Sequence, residues 1–370
     1  MPPLTLLIKP ASGNCNLRCK YCFYEDVTDN RKMKSHGMMS EKTLLELVKK
    51  ALSEAEYSVN FAFQGGEPTL AGIEFYKSFI DYVNKYNFKK LKVYKSIQTN
   101  GIVIDDEWAS FLAQNDFLVG LSLDGYKEIH DMNRVDALNK GTHSQVVKAA
   151  KLFDKYKVDY NILCVVTSGI ARHIDKVYSF FKNNNFKFLQ FIPCLDPLGE
   201  ERGKNKYSLT PERYTYFLKT LFDRWYEDIL NNNYISIRQF DNYINMLRGN
   251  APESCGMNGI CTCYFVVEAD GKVYPCDFYV IDKWYIGNIF DNSFEEMRST
   301  DTAKEFVNVS KYVDNKCKNC KWYRLCRGGC RRDREPFADG KPTLNYFCQS
   351  YNDFFEYSIQ RMMNIAGNMK

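Results

Sequence analysis

"GNCNLRCKYCFYE", residues 13–25, sets cysteines at 15, 19 and 22 with the spacing C-x3-C-x2-C. A structural zinc site asks for four ligands. A [4Fe-4S] cluster held by three cysteines leaves one iron open to another molecule. The stretch follows "LTLLIKP" (4–10), an apolar run that reads as a strand. Three thiols in the loop after a first strand make the rest of the fold a question of what repeats behind that strand.

Working outward, five more strands read at "VNFAFQ" (59–64), "KVYKSIQT" (92–99), "FLVGLSL" (117–123), "YNILCVV" (160–166) and "FKFLQFIP" (186–193). Helical patterns separate them at 41–56, 72–86, 105–115, 143–156 and 171–184. The first has Ser40 as its N-cap and an apolar stripe of Leu44, Leu45, Leu47, Val48 and Leu52. Alternating strands and helices predict a parallel sheet, either an open barrel or a doubly wound sheet. Every strand runs into a segment rich in polar residues, glycine or cysteine: "ASGNCNLRCKYC", "QGGEP", "SIQTNG", "SLDG", "VVTSG" and "IPCLDP". In parallel barrels such loops converge on one rim, where chemistry is done.

A helical stretch (210–231) and a mixed connector follow, and the composition changes near residue 250. Nine of the 14 cysteines fall between 255 and 348, with few long periodic segments. Residues 1–235 are read as the first domain and 236–370 as a connector and a small metal-supported domain. A chain of 370 residues with 45% hydrophobic content can bury both cores. Its 50 basic and 45 acidic residues are interspersed, which argues against nucleic acid as a partner.

No basic residue precedes the first apolar run, Asn14 stands before Cys15, and no apolar stretch approaches the roughly 18 residues of a membrane span. The reading is a cytoplasmic protein without a membrane partner, whose reduced thiols serve a metal or catalysis rather than disulfides. His36, His130, His143 and His173 form no ligand spacing and are read as surface or structural residues. Cys164 and Cys194 are read as buried thiols.

C-x3-C-x-aromatic-C, with Tyr21 as the aromatic residue, resembles the signature of the radical S-adenosylmethionine (SAM) enzymes. The resemblance implies a partial parallel (β/α)6 barrel, with Cys15, Cys19 and Cys22 on a [4Fe-4S] cluster whose open iron chelates SAM. It implies reductive cleavage of SAM to methionine and a hydrogen-abstracting 5'-deoxyadenosyl radical. "QGGEP" (64–68) is similar to the GGEP motif of these enzymes. Gly65 and Gly66 would let the backbone approach a ligand closely, and Glu67 with nearby carbonyls would accept from the SAM ammonium. The same resemblance gives Ser122 in "SLDG" and Arg134 in "HDMNR" to the SAM carboxylate, and Leu195 after "IPC" to the adenine.

"CKNCKWYRLCRGGC" supplies Cys317, Cys320, Cys326 and Cys330, and Cys348 follows. Upstream, "GKVYPC" runs G-x4-C from Gly271 to Cys276, preceded by Cys255, Cys261 and Cys263. C-x2-C pairs also make zinc ribbons. The ordered set closely resembles the cysteine-rich SPASM extension of radical SAM enzymes, which holds two auxiliary [4Fe-4S] clusters. The resemblance implies Cys255, Cys261, Cys276 and Cys330 on the first and Cys317, Cys320, Cys326 and Cys348 on the second, leaving Cys263 over.

Within that group, "SGNCNLRCKYCFY", "FAFQGGEPTL", "QTNG", "SLDG", "YPCDFYV" and "YIGNI" resemble the anaerobic sulfatase-maturating enzymes, clostridial type. This implies SAM and three [4Fe-4S] clusters as cofactors. The substrate would be the cysteine, or in some cases serine, of a sulfatase's C-x-P-x-R or S-x-P-x-R motif, oxidised to Cα-formylglycine. A low-potential electron donor such as flavodoxin or ferredoxin would serve it. Asp277 stands where the family has its general base, and Tyr24, Gln64, Gln98 and Asn100, near strand ends, would line the peptide site. Two alternatives are another peptide-modifying SPASM enzyme, forming thioethers or other oxidised residues, and a non-enzymatic iron-sulfur electron carrier.

Overall fold

Alternation of side chains decides the strands. In Ser58–Phe63 every second residue is buried, the period of a strand that turns one face to the core. The structure is a computed structural model that describes residues 3–368. It contains β1 (Leu4–Ile8), β2 (Ser58–Phe63), β3 (Lys92–Thr99), β4 (Phe117–Ser122), β5 (Tyr160–Val166), β6 (Phe188–Pro193) and β7 (Ser236–Ile237), then the short β8 (Val266–Val267), β9 (Lys272–Tyr274) and β10 (Gly287–Asn288). Helices Glu41–Glu54, Ile73–Tyr86, Asp106–Gln114 and His143–Tyr156 lie where the sequence predicts them. The helix expected over 171–184 is two helices, Ser168–Arg172 and Ile174–Asn183, interrupted at His173.

The chain forms two compact units. One comprises the chain up to Leu123, Asp131–Tyr160 and Cys263–Phe306. Its strands run in the order β10-β9-β8-β1-β2-β3-β4. The pairs from β8 to β4 are parallel, with Ile8 opposite Phe63 and Phe63 opposite Ile97; β8, β9 and β10 pair antiparallel. Ile8, Phe63 and Ile97 are buried, so the next residues, Lys9, Gln64 and Gln98, share the opposite face.

The buried face packs on helices. Phe63 meets Tyr76 and Phe79 edge to face at ring distances of 5.1 and 5.0 Å. All three rings are buried, contributing about 1.5–3 kcal/mol each. Ser40 accepts the Thr43 amide and starts Glu41–Glu54, whose Leu44, Leu47, Val48, Ala51 and Leu52 are buried.

The other unit comprises Asp124–His130, Asn161–Thr262 and the chain from Val307 on. Here β5, β6 and β7 are parallel. Thr210 caps helix Pro211–Leu230, with proline in its first turn. That helix shares an aromatic cluster, Phe222, Trp225, Phe240 and Phe354, with helices Arg238–Leu247 and Cys348–Asn368. The 21-residue helix Cys348–Asn368 is longer than the cysteine-rich segment led us to expect. Buried Phe354, Phe355, Ser358, Met362 and Ile365 recur at helical spacing. Among the described residues no helix is long and apolar enough to cross a membrane.

Candidate active site

The three-cysteine loop follows β1, which ends at Ile8, and is pinned from several strand ends. Its Asn14 carbonyl accepts the Glu67 amide at 2.8 Å. Gly66 has φ +55°, and a Cβ there would stand 2.2 Å from that carbonyl oxygen. Glycine at 66 therefore lets the GGEP loop reach the cysteine loop itself. The Arg18 and Lys20 amides donate to Val135 and Asn133, at 2.7 and 3.0 Å. Between these anchors Arg134 lies with its guanidinium 5.5 Å from the centre of the Tyr21 ring.

Asn100 Nδ2 donates to Asn16 Oδ1 at 2.7 Å and to Cys15 Sγ at 3.7 Å. It supports the cysteine loop. Glu67 is buried: Oε1 accepts from the Thr69 amide and the hydroxyls of Thr69 and Thr99, and Oε2 from the Asn100 amide at 2.7 Å. Its carboxylate thus ties the GGEP loop to the end of β3.

Burial pushes the Cys15 thiol up to about 12 despite the Leu17 amide at its sulfur, and burial also raises Cys22. Thiols this dry ionise readily only on a cation, which deprotonates a coordinating thiol outright. An iron-sulfur cluster fits them.

Asp277, in the turn Asp277–Tyr279 after Cys276, is the centre of a second cluster. Its Oδ2 accepts from the Tyr24 hydroxyl at 2.6 Å and Gln64 Nε2 at 2.8 Å, and Gln64 also donates to the Tyr24 oxygen at 2.9 Å. Oδ1 is buried and has no hydrogen-bond donor among the described residues. Burial raises the Asp277 carboxyl, while Lys9, Tyr24 and Gln64 pull it down without cancelling the rise. Burial and the neighbouring carboxylate hold Tyr24 well above its ordinary value, so it stays a donor.

Beside this cluster lies an ionic group that sequence reasoning missed. Lys9 and Glu268 are fully buried and 3.2 Å apart, and Arg31 reaches the same Glu268 oxygen at 2.6 Å. Burial opposes ionisation of Glu268, but the two cations outweigh it and hold the carboxyl at about 2. Lys9 Nζ stands 5.0 Å from the centre of the Tyr24 ring, and Gly65 leaves room for its stem. The available signal was a lysine inside the run "LTLLIKP".

Ser122 ends β4 nearly buried, Gln98 lies half-buried on β3 beside Gln64, and Leu195 lies half-buried just after β6. His130 is buried, with Nδ1 accepting the Asp124 amide at 3.2 Å. Cys164 and Cys194 are buried, as expected.

Among the C-terminal cysteines, Cys317, Cys320, Cys326 and Cys348 line one cavity of about 150 Å³, with Trp322, Tyr323 and Tyr351 in its wall. Among the described residues no three His, Cys, Asp or Glu side chains are grouped to hold a single metal ion. Four thiols around a cavity suit a cube in which each iron takes one sulfur. Cys255, Cys261 and Cys330 form another neighbourhood: a Cβ on Gly256 would lie 3.6 Å from that of Cys330, Cys255 raises the Cys261 thiol, and Cys255 and Cys261 add to the rise that burial imposes on Cys330. Cys276 and Cys263 belong to the other unit. Burial pushes the Cys263 thiol up to about 12, with Arg298 pulling it down.

Residues 10–180 match the family model of the radical SAM superfamily, and residues 255–321 that of an iron-sulfur cluster-binding domain, SPASM. The chain is 58% identical, over the full length of both chains, to a cysteine-type anaerobic sulfatase-maturating enzyme of Clostridium perfringens. It is 31% identical to a serine-type one of Bacteroides thetaiotaomicron, over 96% of this chain and 89% of that one. A solved structure described as native anSMEcpe with bound AdoMet and Cp18Cys peptide superposes with a TM-score of 0.96 at 57% identity, covering all of both chains. The α/β radical SAM fold with its C-terminal SPASM domain therefore holds, and with it SAM and three [4Fe-4S] clusters as cofactors. The chain belongs to the anaerobic sulfatase-maturating enzymes, radical SAM oxidoreductases that carry a SPASM domain.

Proposed function

We propose that the chain oxidises the cysteine of a sulfatase C-x-P-x-R motif to Cα-formylglycine, with Asp277 as the base that takes the thiol proton. The carrying observation is the asymmetry of the carboxylate: Oδ2 is fixed by Tyr24 and Gln64, while Oδ1 has no donor among the described residues. A held carboxyl with one oxygen wanting a donor, and a raised pKa, suits proton transfer from a thiol. The cysteine preference follows the relatives of cysteine type at 58% and 52% identity, against 31% for a serine-type one.

In this reading Cys15, Cys19 and Cys22 hold the cluster that binds SAM. Tyr21, Gly66, Glu67, Ser122, Arg134 and Leu195 form the SAM site, Arg134 as a guanidinium fork for its carboxylate. Gly66 and Glu67 act there chiefly by fixing the loop. The bound SAM and its cluster supply the hydrogen-abstracting radical. Tyr24 and Gln64 orient Asp277, Gln98 lines the peptide site, and Asn100 holds the cysteine loop. Cys255, Cys261, Cys276 and Cys330 hold the first auxiliary cluster, and Cys317, Cys320, Cys326 and Cys348 the second. Residues 1–235 are assigned to the barrel and 236–370 to the connector and SPASM domain, in a cytoplasmic enzyme served by an electron donor such as flavodoxin or ferredoxin.

The test is Asp277→Asn in anaerobically reconstituted enzyme with a C-x-P-x-R peptide. Formylglycine formation should fall about 10²-fold or more, the usual scale for a lost general base, while three clusters and SAM binding remain. Near wild-type peptide oxidation would remove Asp277 from the proton step.

A further inference from the structure

The short helix Arg331–Arg334 follows Cys330 directly and is buried throughout. Most of its charges are paired. Asp333 meets Arg202 at 3.3 Å and Arg332 meets Glu335 at 3.0 Å. Asp196, 4.0 Å from Arg202, accepts at its backbone carbonyl from Arg332 at 2.6 Å. The Arg331 guanidinium stands 4.9 Å from the centre of the Phe337 ring.

Arg334 is different. It is 4% exposed, and its guanidinium donates to two neutral carbonyls, Ser310 at 3.1 Å and Tyr312. Among the described residues no carboxylate is within ion-pair distance of it. A buried full charge with neutral partners alone is costly.

Thiols that a cluster would ionise are nonetheless close at hand in this unit. Ser310, whose carbonyl holds Arg334, accepts the Cys261 amide on its Oγ at 2.8 Å. Cys261 shares its neighbourhood with Cys255 and Cys330, and the Arg332 amide lies 3.4 Å from Cys330 Sγ. A thiolate-held cluster is the counter-ion that accounts for a buried, carboxylate-free guanidinium here.

We propose that Arg334, helped by the Arg332 amide at Cys330 Sγ, raises the reduction potential of the first auxiliary cluster so that it takes the electron released by the substrate. Arg334 is a positioning residue for charge and touches no substrate. The proposal rests on the assignment of Cys255, Cys261 and Cys330 to that cluster. In the step concerned, the target residue has already lost a Cβ hydrogen atom and its thiol proton. It then loses one electron, its carbon–sulfur bond becomes double, and the oxidised cluster gains that electron. Positive charge and hydrogen bonds at the sulfurs favour the reduced, more negative form.

The test is an anaerobic redox titration followed by electron paramagnetic resonance on Arg334→Gln, Arg334→Lys and wild-type enzyme, with iron content checked. In the Gln variant the reduced-to-oxidised ratio of the first auxiliary cluster at fixed potential should drop about tenfold, a shift of about 59 mV for one electron. The second auxiliary cluster should shift less than the first, since Arg334 also lies in the field of its Cys317. The Lys variant keeps the charge and should stay within about twofold of wild type, and it carries the test alone if the Gln variant does not fold. An unshifted potential in the Gln variant, or a tenfold drop in the Lys variant, overturns the proposal. A titration in which Cys255→Ala leaves the first cluster's signal intact would instead reject the underlying cluster assignment.

Discussion

Two cysteine sets, each contained in one unit, are held by opposite means. Cys15, Cys19 and Cys22 occupy an irregular loop whose shape comes from outside it. Asn14 is pinned by the Glu67 amide, Arg18 by Val135 and Lys20 by Asn133. Cys317, Cys326 and Cys348 ride on helical turns, the last as the first residue of Cys348–Asn368, and Cys320 lies between the first two, around a cavity with three aromatic rings in its wall. The first set stands among polar side chains, Asn100, Glu67 and Arg134; the second among Trp322, Tyr323 and Tyr351. The thiols are the same, so the difference lies in their number and company. Three thiols leave an iron for another molecule, whereas four close the site.

Replacing one set at a time breaks that comparison most directly. Changing Cys15, Cys19 and Cys22 together to Ala should abolish 5'-deoxyadenosine formation, with iron falling from about 12 to about 8 per chain. Changing Cys317 and Cys320 to Ala should cost one cluster's iron as well, yet leave SAM binding in place. Iron and sulfide analysis with isothermal titration of SAM checks both. Equal loss of SAM binding in the two variants would erase the functional distinction between the sets.

Gly66→Ala sharpens the claim that the first set is shaped from outside. A Cβ at 66 meets a backbone carbonyl at 2.2 Å and cannot be relieved by a side-chain rotation. The φ of +55° adds strain for any L side chain. The Asn14–Cys15 segment has to move, and a displacement of about 1 Å at a reacting centre costs about 10²-fold. Deoxyadenosine formation should drop by that order, while the two auxiliary clusters remain by their spectroscopic signals. Unchanged turnover would mean that the GGEP loop does not govern the cysteine loop.

The same contrast explains what was legible in the sequence. β3 and β5 match the sequence reading residue for residue, because partial alternation marks β3 and a continuous apolar run before turn residues marks β5. β1 was read through Pro10 but ends at Ile8. The two- and three-residue strands β7 to β10 carry no period at all. Cysteine spacing exposed both sets, and strand-end position exposed Gln64, whereas Tyr24 lies in the helix Phe23–Asp29 after the cysteine loop. Nothing local joins Arg31 to Glu268, which bond across 237 residues of sequence. The GGEP motif singles out Gly66, and position after β3 singles out Asn100, but their contacts with Asn14 and Asn16 carry no local signal.

The smallest effect is expected at Cys263, the cysteine left over when nine stand for eight auxiliary ligand positions. It precedes β8 in the unit that also holds Cys276, so proximity in sequence to Cys261 does not decide whether it ligates. Burial pushes its thiol up to about 12, opposed by Arg298, a setting that favours a neutral, packed thiol in the absence of metal. Cys261 differs in having its amide fixed by Ser310 and a thiol in the field of Arg331 and Arg334. Cys263→Ala should therefore keep three clusters by iron analysis and lose only about 1 kcal/mol of stability, the ordinary scale of a conservative truncation. Anaerobic thermal unfolding reads that loss. Cys261→Ala, made beside it, should lose the first auxiliary cluster. If the two variants exchange these outcomes, Cys263 is the ligand, and the assignment by spacing gives way.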